Sequence, residues 1–144
     1  MDLADLKPVE RTIEILHPGT ELPIGLRVTL RSIEDDEMKS IKRQITDNSL
    51  KLQAKNKAIK AEELERNQHM LMYRATIDWE WYNPTGKEGD KGYDPDAMPD
   101  FNGEQPGYNQ KNFLAIANEL YWFGEQVQEA IGDTKAFFGN SNGS

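Results

Sequence analysis

Two short segments near the start of the chain alternate between apolar and polar residues, which is typical of half-buried β-strands. The turn His17-Pro18-Gly19-Thr20 separates them. Residues 9–31 therefore predict an antiparallel β-hairpin or a strand pair with a longer loop, and either needs helices, a further strand or a neighbouring subunit against it to be stable in water. The apolar positions are Val9, Ile13 and Ile15 in the first segment, where Arg11 breaks the pattern, and Leu26, Val28 and Leu30 in the second.

Residues 33–80 repeat their apolar side chains at steps of three and four, as helices do. Ser32 is the predicted N-cap, and the acidic run 34–37 suits the positive end of a helix. The polar stretch 47–60 leaves two arrangements open, which are a helical hairpin and one long helix interrupted around 47–49. The apolar stripes are Met38, Ile41 and Ile45, then Leu64, Leu71, Ala75 and Trp79 in a second helix predicted from about Ala61 to Trp79.

Residues 109–138 carry the clearest helical pattern of the chain. Asn109 is the predicted cap of a first helix, and Gly132 is predicted to end a second helix as a left-handed C-cap. Residues 83–108 contain four prolines and five glycines, so we predict a long exposed loop that is mobile in the free protein. The apolar positions of the last third are Phe113, Ile116, Ala117 and Leu120, followed by Phe123, Val127 and Ile131.

Together these segments predict an α+β fold for a single domain of residues 1–144. The domain is expected to be mainly helical, with an N-terminal antiparallel β-hairpin and a long irregular loop before the C-terminal helices. Hydrophobic residues make up 37% of the chain and charged residues 29%, and the mean hydropathy is −0.78. We therefore expect a small core, with part of the chain loose or ordered only against a partner.

Charge and residue inventory exclude several functional classes. A net charge of −8 and a pI of about 4.8 disfavour general binding to nucleic acid, which is itself anionic. The chain has no cysteine, which excludes disulfides, thiolate zinc sites and cysteine nucleophiles. No apolar run approaches the ~20 residues that cross a bilayer. The acidic N-terminus lacks the apolar segment of a signal peptide, so we expect a protein made in the cytosol.

The charges are also segregated along the chain. Residues 38–60 carry seven bases against the single acid Asp47, whereas residues 86–104 carry six acids against two bases. One interpretation is that both segments are solvated surfaces whose opposite charges attract each other. The alternative is that the basic segment forms a helical surface that binds an acidic partner. Direct nucleic-acid binding is less favoured, because the helix lacks interleaved aromatics for base stacking. The bases are Lys39, Lys42, Arg43, Lys51, Lys55, Lys57 and Lys60.

No catalytic or metal-binding pattern stands out in the sequence. Neither of the two histidines, His17 and His69, has a second ligand at the spacing of a helical metal site, and a structural role is expected for His17 in its turn. Phosphate-binding loops and nucleophile elbows are absent. The loop acids Asp90, Asp94, Asp96 and Asp100 do not match the spacing of a calcium-binding EF-hand. We expect no enzyme activity and no cofactor.

Two dense aromatic runs give the best indication of a binding site. They are Trp79-Glu80-Trp81-Tyr82 and Tyr121-Trp122-Phe123. Consecutive aromatics on one helix cannot all point inward, so at least one of the second run is expected to face another surface. Trp79 is expected in the core, and Trp81 and Tyr82 either close the core or stay partly exposed. Aromatic side chains at the centre of an interface often dominate its binding energy.

The order and spacing of four sequence pieces carry a family resemblance over about residues 9–138. They are His17-Pro18-Gly19-Thr20 with residues 23–28, Ala61-Glu62-Glu63-Leu64, Trp79-Glu80 with Phe101-Asn102-Gly103-Glu104, and residues 122–127 with Ile131-Gly132-Asp133 and a terminal Phe. In this pattern the chain resembles the tail assembly chaperones of long-tailed phages and prophages. It departs from them at Asp78, where such proteins tend to have a Gly, and in the loop between Tyr82 and Phe101, which looks like an insertion.

The resemblance implies a non-enzymatic protein of the host cytoplasm that binds the helical tape-measure protein and keeps it soluble during tail assembly. The tail-tube protein and further copies of the chain are additional candidate partners, and no membrane is implied. A structural virion protein of the tail or neck (a tube, terminator or completion protein) is the first alternative. The second alternative is a regulator that docks on nucleic acid through Lys51, Lys55 and Lys57.

The hypothesis for the binding site follows from the apolar pattern of the last third and from the aromatic runs. We expect seven residues to form the core and the partner-binding groove. They are Phe113, Ile116, Leu120, Trp122, Phe123 and Val127, together with Trp81.

Overall fold

The computed structural model describes residues 1–55 and 60–138, and the fold over these residues is α+β, as the sequence predicts. The described strands are β1 (Arg11–Leu16), β2 (Pro23–Leu30) and β3 (Thr76–Trp81). The described helices are α1 (Asp36–Ala54), α2 (Ala61–Ala75), α3 (Gln110–Glu119), α4 (Tyr121–Gly132) and α5 (Thr134–Phe137). The sheet lies against the helices, so the molecule has two layers.

The three strands form one antiparallel sheet in the order β1-β2-β3. Ile13 is opposite Val28, and Val28 is opposite Trp79. The two predicted strands therefore pair with each other, but they belong to a three-stranded sheet and do not form a separate hairpin. The first strand begins at Arg11, two residues later than expected, and Val9 is largely exposed.

The third strand corrects the prediction of a helical region over 33–80. The second helix ends at Ala75, and Trp79 belongs to a strand and not to the stripe of that helix. Thr76 begins the strand, and its hydroxyl donates to the Met72 carbonyl at 2.8 Å. The alternation of β-branched or aromatic residues with acids in Thr-Ile-Asp-Trp-Glu-Trp suits a half-buried strand. Trp79 is buried, as expected, but on the inner face of the sheet.

Two predicted helix caps are also wrong. Asp35, not Ser32, caps α1, because its carboxylate accepts from the Glu37 N–H, while Ser32 bonds only within the preceding turn. Gly132 lies inside α4 without a left-handed conformation, and Asp133 is the C-cap. The predicted cap at Asn109 is confirmed, because its side chain accepts from the Asn112 N–H at 2.8 Å.

Between α1 and α2 the open question is settled in favour of a helical hairpin. Residues 47–49 do not interrupt α1, and α1 packs against α2. Part of the connection between the helices, residues 56–59, lies outside the described residues, as does the basic residue Lys57. The tip of the hairpin is distant from the core, since residues 45–55 and 60–67 contain no buried side chain.

An aromatic stack joins the sheet to the helices. Phe113 of α3 is fully buried and lies parallel to Trp79 of β3, with ring centroids 6.2 Å apart. It also meets Phe123 of α4 edge to face, with ring centroids 5.6 Å apart. Such contacts add to the free energy gained from burying large apolar surfaces. This stack fixes the position of α3 and α4 on the sheet.

The segment 83–108 is largely irregular, with a short 3-10 turn at Pro95–Ala97, and its C-terminal end is tied to the core. The Pro106 carbonyl accepts from the indole N–H groups of both Trp79 and Trp81, at 3.0 and 2.9 Å. The Tyr108 hydroxyl bonds to the carbonyls of Tyr73 and Thr76. The mobility of residues 83–108 in the free protein stays a prediction.

A side-chain amide closes part of the free edge of the sheet. The Leu16 N–H of β1 donates to Gln126 Oε1 at 2.7 Å, and Gln126 Nε2 donates back to the Leu16 carbonyl at 2.8 Å. The amide of Gln126 therefore bonds as a neighbouring strand would, and it connects α4 to β1. Unpaired edges invite pairing with other chains, so this contact also protects the sheet.

We predict that Phe123→Ala lowers the free energy of unfolding by about 3–5 kcal/mol, because it leaves a cavity where Phe123 packs on Phe113. Urea denaturation followed by tryptophan fluorescence measures the change. The exposed neighbour Tyr121→Ala is the control and should change stability by less than about 1 kcal/mol. Equal effects of the two substitutions would contradict this account of the core.

We also predict that Gln126→Ala costs about 1–3 kcal/mol of unfolding free energy, since both bonded groups of Leu16 lose their partner. Gln128→Ala removes an exposed amide two residues away and serves as the matched control. A loss no larger than that of the control would show that water replaces the amide at no cost.

Candidate functional site

A groove of about 310 Å³ runs between α2 and the two helices α3 and α4. We call it the α2–α4 groove. Its volume holds a few side chains and not a whole helix, so a partner would lie across it and insert side chains. Its lining residues are Glu65, Gln68, His69, Met72, Ala117, Tyr121, Gly124, Glu125 and Gln128.

Small residues keep the floor of this groove open. Ala117 of α3 and Gly124 of α4 are buried there, beside the flexible side chain of Met72. A methyl group added at Gly124 would meet the Met72 Cε at 3.6 Å, which is ordinary contact. The floor is therefore apolar and adaptable, because methionine fills irregular spaces readily.

The three consecutive aromatics of α4 point in different directions, because each helical residue is rotated by about 100° from the last. Phe123 is fully buried, Trp122 is half-buried against the core, and Tyr121 is 73% exposed at the groove. Tyr121 is therefore the one of the three that faces away from the core, and that it meets another surface stays a prediction. An exposed aromatic beside an apolar floor is typical of an interface centre.

The seven residues expected at the core and groove divide into two groups. Leu120, Trp122 and Trp81 are half-buried and keep some surface that a partner can reach, although Trp81 belongs to β3 and bonds to Pro106. None of the seven lines the α2–α4 groove. The other four are buried in the core and support the groove from behind, and they are Phe113, Ile116, Phe123 and Val127.

None of the groove's nine lining residues was selected from the sequence for the binding site, and of the nine, four come from α2 and five from α3 and α4. Met72, Glu65 and Gln68 line the groove from α2 and were not part of the apolar stripe used for the prediction. One feature of the sequence could have indicated a groove, which is the pair of small residues Ala117 and Gly124 beside large apolar residues. No feature of the local sequence shows that α2 forms the other wall.

The rim of the groove is acidic. Glu65 of α2 and Glu125 of α4 are exposed on its two sides, with the amides Gln68 and Gln128 near them. Among the residues that the structure describes, no lysine or arginine lines the groove. A negative field therefore surrounds an apolar floor.

The described basic residues between 38 and 60 lie along the helical hairpin. Lys51 and Lys55 are exposed near its tip, whereas Lys39 pairs with Glu34 at 3.6 Å. Leu50 is more than half exposed on α1, and Leu64 on α2. The hairpin thus presents charge and isolated leucines, but in the described residues no buried side chain organises its tip into a site.

On the outer face of the sheet, charged side chains satisfy one another. Arg27 donates to Glu14 at 2.6 Å and to Glu80 at 3.0 Å, and its guanidinium lies 3.8 Å from the centre of the Tyr82 ring. The Tyr82 hydroxyl bonds to Glu14. Burial raises the pKa of Tyr82 to about 12, and the hydrogen bond to Glu14 acts in the same direction. This cluster stabilises the outer face of the sheet.

His17 has a structural role in its turn, as expected. Its Nδ1 atom accepts from the N–H groups of Gly19 and Thr20, at 2.9 and 3.1 Å. In the described part of the chain, no group of three or more acidic or histidine side chains is placed to hold a metal ion. Within the same residues, no helix has the length and apolar character needed to cross a membrane.

No protein-family model, curated protein or solved structure matches the chain.

We predict that Tyr82 ionises late and makes stability fall at high pH. Its pKa is about 12 in the folded protein and about 10 in an unfolded chain. The stabilisation that the folded protein gains from the protonated Tyr82 hydroxyl is therefore fully present below pH 10 and is lost as the pH rises towards 12. In an absorbance titration, Tyr82→Phe should remove the tyrosinate signal that appears near pH 12. An unchanged titration would contradict the assignment.

Proposed function

We propose that the protein is a non-enzymatic tail assembly chaperone of a long-tailed phage. It binds the tape-measure protein in the host cytoplasm and keeps that protein soluble until tail-tube subunits polymerise around it. The observation that carries the proposal is the α2–α4 groove, an apolar floor with the exposed aromatic Tyr121 beside it. Grooves between helices are a recurring receptor for amphipathic helices.

The sequence resemblance to tail assembly chaperones supports the same proposal. Of its four pieces, residues 122–127 begin just after Tyr121 and form the first half of α4, and Ala61-Glu62-Glu63-Leu64 forms the first turn of α2. Two of the four pieces therefore lie in the helices that flank the groove. The other two pieces occupy the sheet and its loops.

The physical chemistry of a tape-measure protein explains why such a groove is useful. A long helix with apolar stripes aggregates when its stripes are exposed. A protein with a net charge of −8 that covers those stripes keeps the complex dispersed. Many copies on one long partner give firm retention even when each contact is weak, and each copy can still be released as the tube grows.

The proposal is tested by expressing the tagged protein in cells that produce the phage and identifying the bound proteins by mass spectrometry. A very long, helix-rich tail protein should be recovered, and the chaperone should be absent from finished particles. Recovery of tube, neck or capsid subunits alone, or presence in finished particles, would contradict the proposal and favour a structural virion protein.

Substitution of the exposed aromatic localises the binding. Tyr121→Ala should lower recovery of the tail protein at least several-fold with little change in thermal stability, because Tyr121 is exposed. Phe138→Ala removes another exposed aromatic outside the groove and should leave recovery unchanged.

Trp122→Ala should weaken binding more than it unfolds the domain. If it only lowers stability, with binding per folded molecule unchanged, Trp122 belongs to the core alone.

A further inference from the structure

The α2–α4 groove has a negatively charged rim, which the proposed function does not require. Glu65 and Glu125 flank an apolar floor made by Met72, Ala117 and Gly124. In the described residues the lining of the groove includes the imidazole of His69 but no lysine or arginine. An apolar stripe alone would fit the floor, but basic residues beside that stripe would also meet the two carboxylates. Opposite charges across an interface guide encounter and select among partners.

The edges of the sheet argue against a partner that binds as an extended strand. At β1, both backbone groups of Leu16 are bonded to Gln126. At β3, the Thr76 carbonyl accepts from the Tyr108 hydroxyl, and the Trp79 N–H donates to the Asp78 carboxylate. Side chains of the protein itself thus occupy backbone groups that an added strand would need.

The groove walls instead suit side chains that project from a helix. Both walls are helices, and their backbone groups are bonded within each helix, so recognition must come from side chains. Tyr121 can cover one side of an inserted residue, and the thioether of Met72 adapts to its shape. The small residues Ala117 and Gly124 let a partner approach closely.

We propose that the α2–α4 groove selects an amphipathic helix whose apolar stripe is flanked by lysine or arginine. Side chains of the stripe enter the groove between Met72 and Tyr121, and the flanking cations pair with Glu65 and Glu125. This inference rests on the proposed function for the identity of the natural partner, which would be a basic segment of the tape-measure protein. The groove itself is tested without that protein.

The test uses two designed helical peptides with the same leucine and alanine stripe, one flanked by lysines and the other by glutamates. Fluorescence anisotropy of the labelled peptides measures their affinity for the purified protein. The lysine peptide should bind about tenfold or more tightly than the glutamate peptide, and its affinity should fall with added salt. Equal affinity of the two peptides, or no binding of either, would overturn the inference.

A matched pair of variants separates the groove from the overall acidity of the protein. Glu65→Lys with Glu125→Lys should lower the affinity for the lysine peptide about tenfold and raise that for the glutamate peptide. Asp47→Lys with Glu88→Lys makes the same change in net charge outside the groove and should have a much smaller effect. If both pairs weaken binding equally, the attraction is to the net charge and the inference fails.

Two further outcomes keep this inference distinct from the proposed function. If the peptides behave as expected but no tail protein is recovered from phage-producing cells, the groove inference stands and the chaperone function fails. If a tail protein is recovered and its binding is indifferent to Glu65→Lys with Glu125→Lys, the function stands and the inference fails. A third result would also overturn the inference. If neither peptide binds, and the protein forms concentration-dependent dimers that Tyr121→Ala abolishes, the groove receives a second copy of the chain.

Discussion

The packing of Phe113 between Trp79 and Phe123 is the contact on which the rest of the structure depends. One ring of the stack belongs to the sheet and two belong to the C-terminal helices, with centroid distances of 6.2 and 5.6 Å. Because the hydrophobic share of the chain is only 37%, a few large side chains must supply much of the buried apolar surface. Removing one of them affects the sheet, α3 and α4 together.

The same stack determines where the groove lies. With Phe123 held inward, the rotation of α4 places Tyr121 outward and Gly124 towards Met72 of α2. The core residues selected from the sequence thus lie behind the groove that we propose as the binding surface, and the residues that a partner would touch there are their neighbours along the helix. One short helix thus contributes to the core on one side and lines the groove on the other.

The sequence predicted those parts of the fold that depend on local pattern. The alternation of Leu26, Val28 and Leu30 located β2, and the helical spacing through α3 and α4 located most of the core. The third strand was missed because Trp79 follows Ala75 by four residues and so fits a helical stripe. The alternation of Ile77, Trp79 and Trp81 with polar residues also fits a strand. In the folded protein the pairing with β2 makes this segment a strand and not the end of a helix. The groove could not be predicted, since it depends on how α2 meets α4 in three dimensions.

The most direct measurement of the central claim is hydrogen–deuterium exchange of the protein with and without the purified tape-measure protein. The account predicts added protection of the backbone in α2 and α4, centred on residues 65–72 and 121–128, with little change on the outer face of the sheet. Protection confined to the sheet or to the 83–108 loop, or no protection despite binding, would contradict the claim that the α2–α4 groove receives the partner.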